Sequence, residues 1–494
     1  MKKTTKNILI TLAVLIVLGI AAVLLLTMPE PAAEESSEPT ETSQAEAEPI
    51  IDGSAADVKQ ITLKNNIVDE TWEIVPVKAE DGTEAIGTFT FKGWEDESLS
   101  VSNISTLARS FYTLYAIKEI GDVQNLAEYG LKGDGEIKAV VDYKDGSAET
   151  VIVGLPAGES DGRYVLCDGT VYIAPMSALL ETKKNDFVTT TVLTMTTPNV
   201  IGENGMAMEG ETVIHKFHFS GKNYPEEILV EKADHKVYSH TMTTPIFAGA
   251  SKTQLDAITE QLMSITASGV AAVKATDEDK AEWGISEPTV VLDFEINNEA
   301  HKITLGNLTD GEYSLMIDDN DVIYLIPESR VNTWTNKSVF DLREPYVYLV
   351  NINEVETLTV EDKNGKATYN VARTLDEEKS TEDEPMYNLT VKKDGKEVNY
   401  DTAYQPFYAS LLSVCVMNED NAEPKGDALF TVTYDHFESD DEDVVAFYAH
   451  PESDRRCVVT LNGQNVGIVR YSDVADLIEK NEIISGYGTL KEEE

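Results

Sequence analysis

Histidine is the side chain that most readily supplies metal ligation or acid–base chemistry near neutral pH. The chain holds seven: His215, His218, His235, His240, His301, His436 and His450. His215 and His218 fall in the strand-like run VIHKFHF. A separation of three puts them on opposite faces of a strand, so they are not expected to act as a ligand pair. No HExxH and no CxxC occurs, and neither a G-x-S-x-G elbow nor an S-x-x-K set marks a nucleophile. Gly130-Leu131-Lys132-Gly133-Asp134-Gly135 is rich in glycine but precedes a strand instead of opening a helix. It reads as a turn, not a phosphate loop. Asp318-Asp319-Asn320-Asp321 and Glu438–Asp443 (ESDDED) offer carboxylate oxygens for Ca²⁺. Neither has the spacing of a calcium loop, and the first reads as a turn between strands. Three cysteines, Cys167, Cys415 and Cys457, cannot form a complete disulfide framework. Cys415 lies in the apolar stretch LLSVCVMN and reads as a small buried hydrophobe; a bridge to Cys457 stays open outside the cytoplasm. Trp72, Trp94, Trp283 and Trp334 accompany 21 tyrosines, a stock of rings that can stack on sugars. Trp283 occupies the repeat position of Tyr129, which points to packing. No catalytic, cofactor-binding or metal-ligating residue is assigned.

The elements that hold these residues recur at intervals of about 150 residues, and such recurrence is the mark of repeated structural units. Three amphipathic helices are expected: Asn103–Ile120, Ser251–Ile265 and Asp401–Val416. Each carries apolar residues at i, i+3/i+4. Ser251 with Gln254 fits a capping box, and Pro406 falls in or just beyond the first turn of the third helix. Ala127-Glu128-Tyr129-Gly130-Leu131 is echoed by Ala281-Glu282-Trp283-Gly284-Ile285. The glycine is expected in the left-handed position at a helix end. Alternating strands follow, among them Ile137–Tyr143, Val290–Ile296 and Leu429–Tyr434, and then a meander. Asp168-Gly169 and Asn462-Gly463 are hairpin turns. Short helices are expected to close each copy at Met176–Lys183, Glu328–Thr335 and Ser472–Lys480.

The first residues differ from this body. Ile8–Leu26 is nineteen residues long and uncharged, with fourteen Leu, Ile and Val. A helix of that length spans about 28 Å, and the apolar residues favour insertion by about 4–8 kcal/mol. Lys2, Lys3 and Lys6 precede it, which puts the N-terminus in the cytoplasm and the body outside. A cleaved signal peptide is the competing reading, but its apolar core is shorter and ends at small residues. Both readings place the body outside. Pro29–Pro49 carries seven Glu and four Pro with no aromatic, so it is expected to be a disordered, extended linker. The net charge is −49; without the three leading lysines the remainder carries −52. So acidic a surface argues against nucleic acid and anionic lipid as partners.

The anchor, the acidic linker and the repeated units with Ala127–Leu131 and Gly162-Arg163-Tyr164 resemble the bacterial family called domain of unknown function 4340. The resemblance extends over most of residues 58–490. It implies no known activity. It implies an accessory role at the membrane, since genes of that family often lie beside those of gliding-motility-type ABC transporters. The expected fold class is α+β: one N-terminal transmembrane helix, then tandem units of mainly antiparallel sheet with packed helices. The expected segments are a cytoplasmic N-terminus (1–7), a transmembrane helix (8–27), a disordered linker (28–57) and units at 58–200, 201–345 and 346–490. The expected function is a non-enzymatic accessory or interaction subunit of an ABC-type transport complex at the cell membrane. It has no cofactor, and its partners are the membrane and other envelope proteins. The alternative is a protein that binds cell-wall glycan or another surface ligand.

Overall fold

The computed structural model describes residues 49–491 apart from 80–81, 135, 159–161, 202–206, 234–236, 382–384, 419–421 and 440. Strand accounts for 46% and helix for 19%, in several sheets. This corrects the α+β expectation with an N-terminal transmembrane helix: the fold is mostly β-sheet. Among the described residues no helix is long and apolar enough to cross a membrane. The run Ile8–Leu26 lies outside the described residues, as does the linker through Glu48. The linker expectation is also shortened at its far end. Pro49–Asp52 is a strand paired antiparallel with Thr113–Tyr115, so order begins inside the stretch 28–57.

Contacts divide the chain into two compact units. The first comprises residues through Ile67 with Leu107–Ser177; the second comprises Val68–Thr106 and Ala178 onward. In the first unit six antiparallel strands lie in the order Val58–Asn65, Ile137–Tyr143, Ala148–Pro156, Arg163–Cys167, Thr170–Ala174 and Lys118–Gly121. Burial alternates along them, with Ile61, Leu63, Ala139, Val141, Val151 and Val153 inside. Leu107, Ala108 and Phe111 of the helix are fully buried as well.

The second unit holds two large sheets. One runs Ala248–Gly249, His240–Thr244, Ile228–Lys232, Ile214–Ser220, Val290–Ile296, Glu299–Thr309, Glu312–Ile317, Val322–Pro327 and Gly269–Val273. Its inner face packs Phe217, Phe219, Leu292 and Leu305 with Leu255, Ile258 and Leu262 of the helix Lys252–Leu262. The other runs Lys396–Val398, Tyr387–Lys393, Gly365–Leu375, Val355–Asp362, Phe430–His436, Glu442–His450, Ser453–Leu461 and Gln464–Arg470. It packs Leu358, Tyr369, Phe430 and Val459 with Tyr404, Phe407 and Leu411. In both sheets the first strand of the segment pairs with the first long strand after the helix: Phe219 with Leu292, and Val360 with Val432. A β-hairpin, Glu70–Lys78 with Glu84–Phe91, also belongs to this unit, with Trp72 edge-on to Phe91 and Phe187.

Helices are shorter than their apolar periodicity predicts, which is why helix content is low. The first spans Val101–Tyr112, because Thr113–Tyr115 and Lys118–Gly121 are strands. The third begins as a wide π turn, Tyr400–Tyr404, and continues as Gln405–Leu412 with Pro406 in its first turn. Proline's missing N–H costs little there. Ser251 stands at the N-cap of the second helix, but its side chain makes no capping bond; boxes form instead at Thr276/Asp279 and Ser338/Asp341. Met176–Lys183 and Glu328–Thr335 reduce to the 3₁₀ turns Ala178–Glu181 and Glu328–Arg330, while the last helix extends over Tyr471–Ser485.

The glycine motif has a packing reason beyond ending a helix. Gly130 and Gly284 have φ of 68° and 74°, and they end two separate short helices, Leu126–Tyr129 and Asp277–Glu282. The carbonyls just before them, of Tyr129 and Trp283, lie where a Cβ on Gly154 or Gly306 would stand. The motif thus docks its short helix onto a strand glycine, once in each unit. Trp283 O accepts bonds from Asn307 N at 2.9 Å and Ser314 Oγ at 2.6 Å.

Candidate functional site

The turn Asn462-Gly463 sets the first side chain of the site. Asn462 has φ of 51°, a left-handed conformation that asparagine tolerates better than most residues. Its Oδ1 accepts the backbone N–H of Val444 at 2.7 Å, and its Nδ2 donates to Asp443 Oδ1 at 2.9 Å. Asp443 stands on the neighbouring strand opposite Tyr434. Its other oxygen, Oδ2, accepts from Tyr348 Oη at 2.5 Å and from His436 Nε2 at 2.8 Å. Burial pushes the Asp443 carboxyl up, but the bonds from Asn462, Tyr348 and His436 outweigh it and hold it below its usual range. Burial, with the Asp443 carboxylate beside it, pushes the Tyr348 phenol far above its ordinary value.

A guanidinium stands beside this network. Arg373, from the strand Gly365–Leu375, lies 4.3 Å from the Phe437 ring centre and 4.8 Å from that of Tyr387. It donates to Asn353 O at 3.0 Å and to Glu438 Oε1 at 2.7 Å. Phe247, from the loop between the strands His240–Thr244 and Ala248–Gly249, faces the same cleft. Residues of this network, with Arg373, Phe437, Glu438, Glu354 and Asp441, line a cleft of about 400 Å³. That volume lies within the range of small-molecule sites, about 300–1,000 Å³.

The cleft sits where the two large sheets of the second unit join. Tyr238 Oη accepts the N–H of Leu349 at 2.6 Å, and Gln464 Nε2 donates to Pro245 O at 2.7 Å. Arg343 is 4% exposed. It donates to the carbonyls of Val466 at 2.5 Å, Tyr346 at 3.0 Å and Glu344 at 3.1 Å. The guanidinium thus ties its own connector to the strand Gln464–Arg470 of the last sheet, and the Arg343 backbone bridges to Ala250 beside the other sheet.

The segment that crosses this junction matches a family model. Residues 241–416 match the family model described as Domain of unknown function (DUF4340). The match is narrower than the resemblance over 58–490. It begins in the strand His240–Thr244, passes through the helix Lys252–Leu262 and the connector that holds Arg343 and Tyr348, and ends just beyond the helix Gln405–Leu412. Tyr348, Arg373 and Phe247 lie inside the matched segment; His436, Asp443 and Asn462 lie beyond it. No curated protein and no solved structure matches the chain.

The other chemistry-bearing residues are engaged locally. His301 Nδ1 lies 2.8 Å from Asp318 Oδ2, and Asp319 takes Lys302 Nζ at 3.1 Å. These pairs edge a shallower groove of about 310 Å³ on the first of the two sheets. Asp318 and Asp319 form the expected turn, with φ of 50° and 53°. His218 contacts Glu227 at 3.0 Å, and His240 Nε2 donates to Ile214 O at 2.9 Å. His235 and Gly135 lie outside the described residues. Cys167, Cys415 and Cys457 are free thiols, and Cys415 is half-buried, short of the full burial its apolar neighbours predict. Trp72 and Trp334 are core residues. Trp94 carries Lys184 Nζ 3.8 Å from its ring centre. Of the sequence features singled out, the cleft brings together His436, the Glu438, Asp441 and Asp443 carboxylates and the turn residue Asn462, while the second groove joins His301 to Asp318. Tyr348, Arg373 and Phe247 had no signal in their own neighbourhoods, because the site draws them from three separate segments.

Proposed function

We propose that the chain is a non-enzymatic accessory or interaction protein, held at the outer side of the cell membrane by Ile8–Leu26 and serving an ABC-type transport complex. The observation that carries this reading is the join at Arg343. There the connector between the two large antiparallel sheets bonds to Val466 on one side and bridges to Ala250 on the other, and the segment that matches the family model spans that join. The uncharged run behind three lysines and the Glu/Pro stretch after it support a tether and spacer. The test is purification of the tagged full chain from detergent-solubilised membranes after mild cross-linking. Reproducible recovery with a permease or ATPase subunit is expected; recovery of the chain alone sinks the reading. The topology is tested by adding protease to intact wall-free cells, which should degrade the body.

A second reading, a protein that binds cell-wall glycan or another surface ligand, is favoured by the cleft itself. Aromatic faces beside carboxylates and a guanidinium are the groups that grip a polar ligand with apolar faces. Sedimentation of the chain with peptidoglycan tests the glycan form.

A further inference from the structure

We propose that the cleft beside Phe247 binds a small organic cation: a primary ammonium on a short apolar stem. The proposal rests on the ligand-binding reading and is independent of any transport partner. Glu354, Glu438, Asp441 and Asp443 line the cleft against the single guanidinium of Arg373. Anionic ligands are repelled by this balance, and a neutral one gains nothing from it. Arg373 already shows how the site holds a cation. Its charge lies on the face of Phe437, and its edge bonds Glu438. An ammonium entering from solvent meets the further carboxylates Glu354 and Asp441 and the Phe247 ring, which line the same cleft. Its apolar stem meets Val350, which also lines the cleft. A metal ion fits the donors less well. Both oxygens of Asp443 are taken by Asn462, Tyr348 and His436, and Glu438 is paired with Arg373. An ammonium needs no fixed coordination number and can share carboxylates already bonded at one edge.

The experiment titrates the full chain in detergent micelles with 1,5-diaminopentane by calorimetry, with pentane-1,5-diol as its neutral isostere. Saturable binding of the diamine and none of the diol is expected. Glu438→Gln with Asp441→Asn, both exposed positions, should weaken binding about tenfold, as should Phe247→Ala. Asp318→Asn with Asp319→Asn, on the other groove, should leave it unchanged. Equal binding of diol and diamine, no saturable binding, or parent-like affinity in both cleft variants overturns the proposal. If peptidoglycan pellets the chain while the diamine fails to bind, the ligand-binding reading stands and the amine assignment falls. If both fail, both fall.

Discussion

Asp443 gathers three hydrogen bonds onto one carboxylate, so the cleft is rigid at its floor. Its side chain is 25% exposed, and the His436 side chain is 16% exposed. Replacing it by alanine leaves Tyr348, a buried hydroxyl, without its acceptor. The expected cost of Asp443→Ala is about 3 kcal/mol in urea unfolding, while Asp443→Asn, which keeps an acceptor, should cost about 1 kcal/mol. The pH dependence has a definite sign. The carboxyl is held below its usual value in the folded state, so its contribution is complete above the unfolded value of about 3.9. It is lost as pH falls through the lower folded value. Urea midpoints of the parent and of Asp443→Asn should therefore converge below about pH 4. Parallel curves down to the lowest pH would show that the three bonds do not favour the charged form.

At the scale of elements, the junction and the docked glycines are the features to break. Arg343→Ala removes a guanidinium from among buried carbonyls, at an expected cost of about 3 kcal/mol. Limited proteolysis should then cut the connector near Tyr346, and diamine binding should be lost with it. A variant as resistant as the parent would remove the junction from the account. Gly306→Ala places a Cβ against the Trp283 carbonyl and Ser314 Oγ. Overpacking of this kind is expected to cost about 2–3 kcal/mol by thermal or urea unfolding. A series of buried tyrosines gives the second unit an alkaline limit. Burial pushes Tyr238 to about 12 and raises Tyr348, Tyr408 and Tyr434 as well. Stability from these groups is complete below the unfolded value of about 10 and is lost as pH rises beyond it. The share of tyrosinate absorbance that comes from these buried rings should appear together with loss of sheet signal, not before it.

The whole molecule carries −49 formal charge, which opposes its own compaction. Salt shortens the reach of that repulsion to about 10 Å at 0.1 M. The thermal midpoint should rise as sodium chloride is added from low ionic strength. A midpoint that is flat or falling would mean that local ion pairs, such as Arg373–Glu438, outweigh the global repulsion. Neutral sugars should be unaffected by salt if they bind, whereas diamine binding should weaken with it.

Periodicity and turn chemistry are local, and the sequence alone sufficed for them. Strand alternation at Ile137–Tyr143 and Val290–Ile296, the hairpin turns at Asp168 and Asn462, and the left-handed glycines Gly130 and Gly284 follow from a few neighbouring residues. The acidic charge and the uncharged run Ile8–Leu26 are also sequence facts. Helix ends are less local: Thr113–Tyr115 is apolar enough to continue a helix, and pairing with Pro49–Asp52 makes it strand instead. The predominance of sheet over helix is the sum of such decisions. The cleft was beyond sequence because its members stand far apart in the chain. Tyr348 and Asp443 are 95 residues apart and meet at one carboxylate, and Arg343 and Val466, 123 apart, fix the junction beside them. Only pairing of whole sheets brings such residues within a hydrogen bond, and that pairing is decided by tertiary packing.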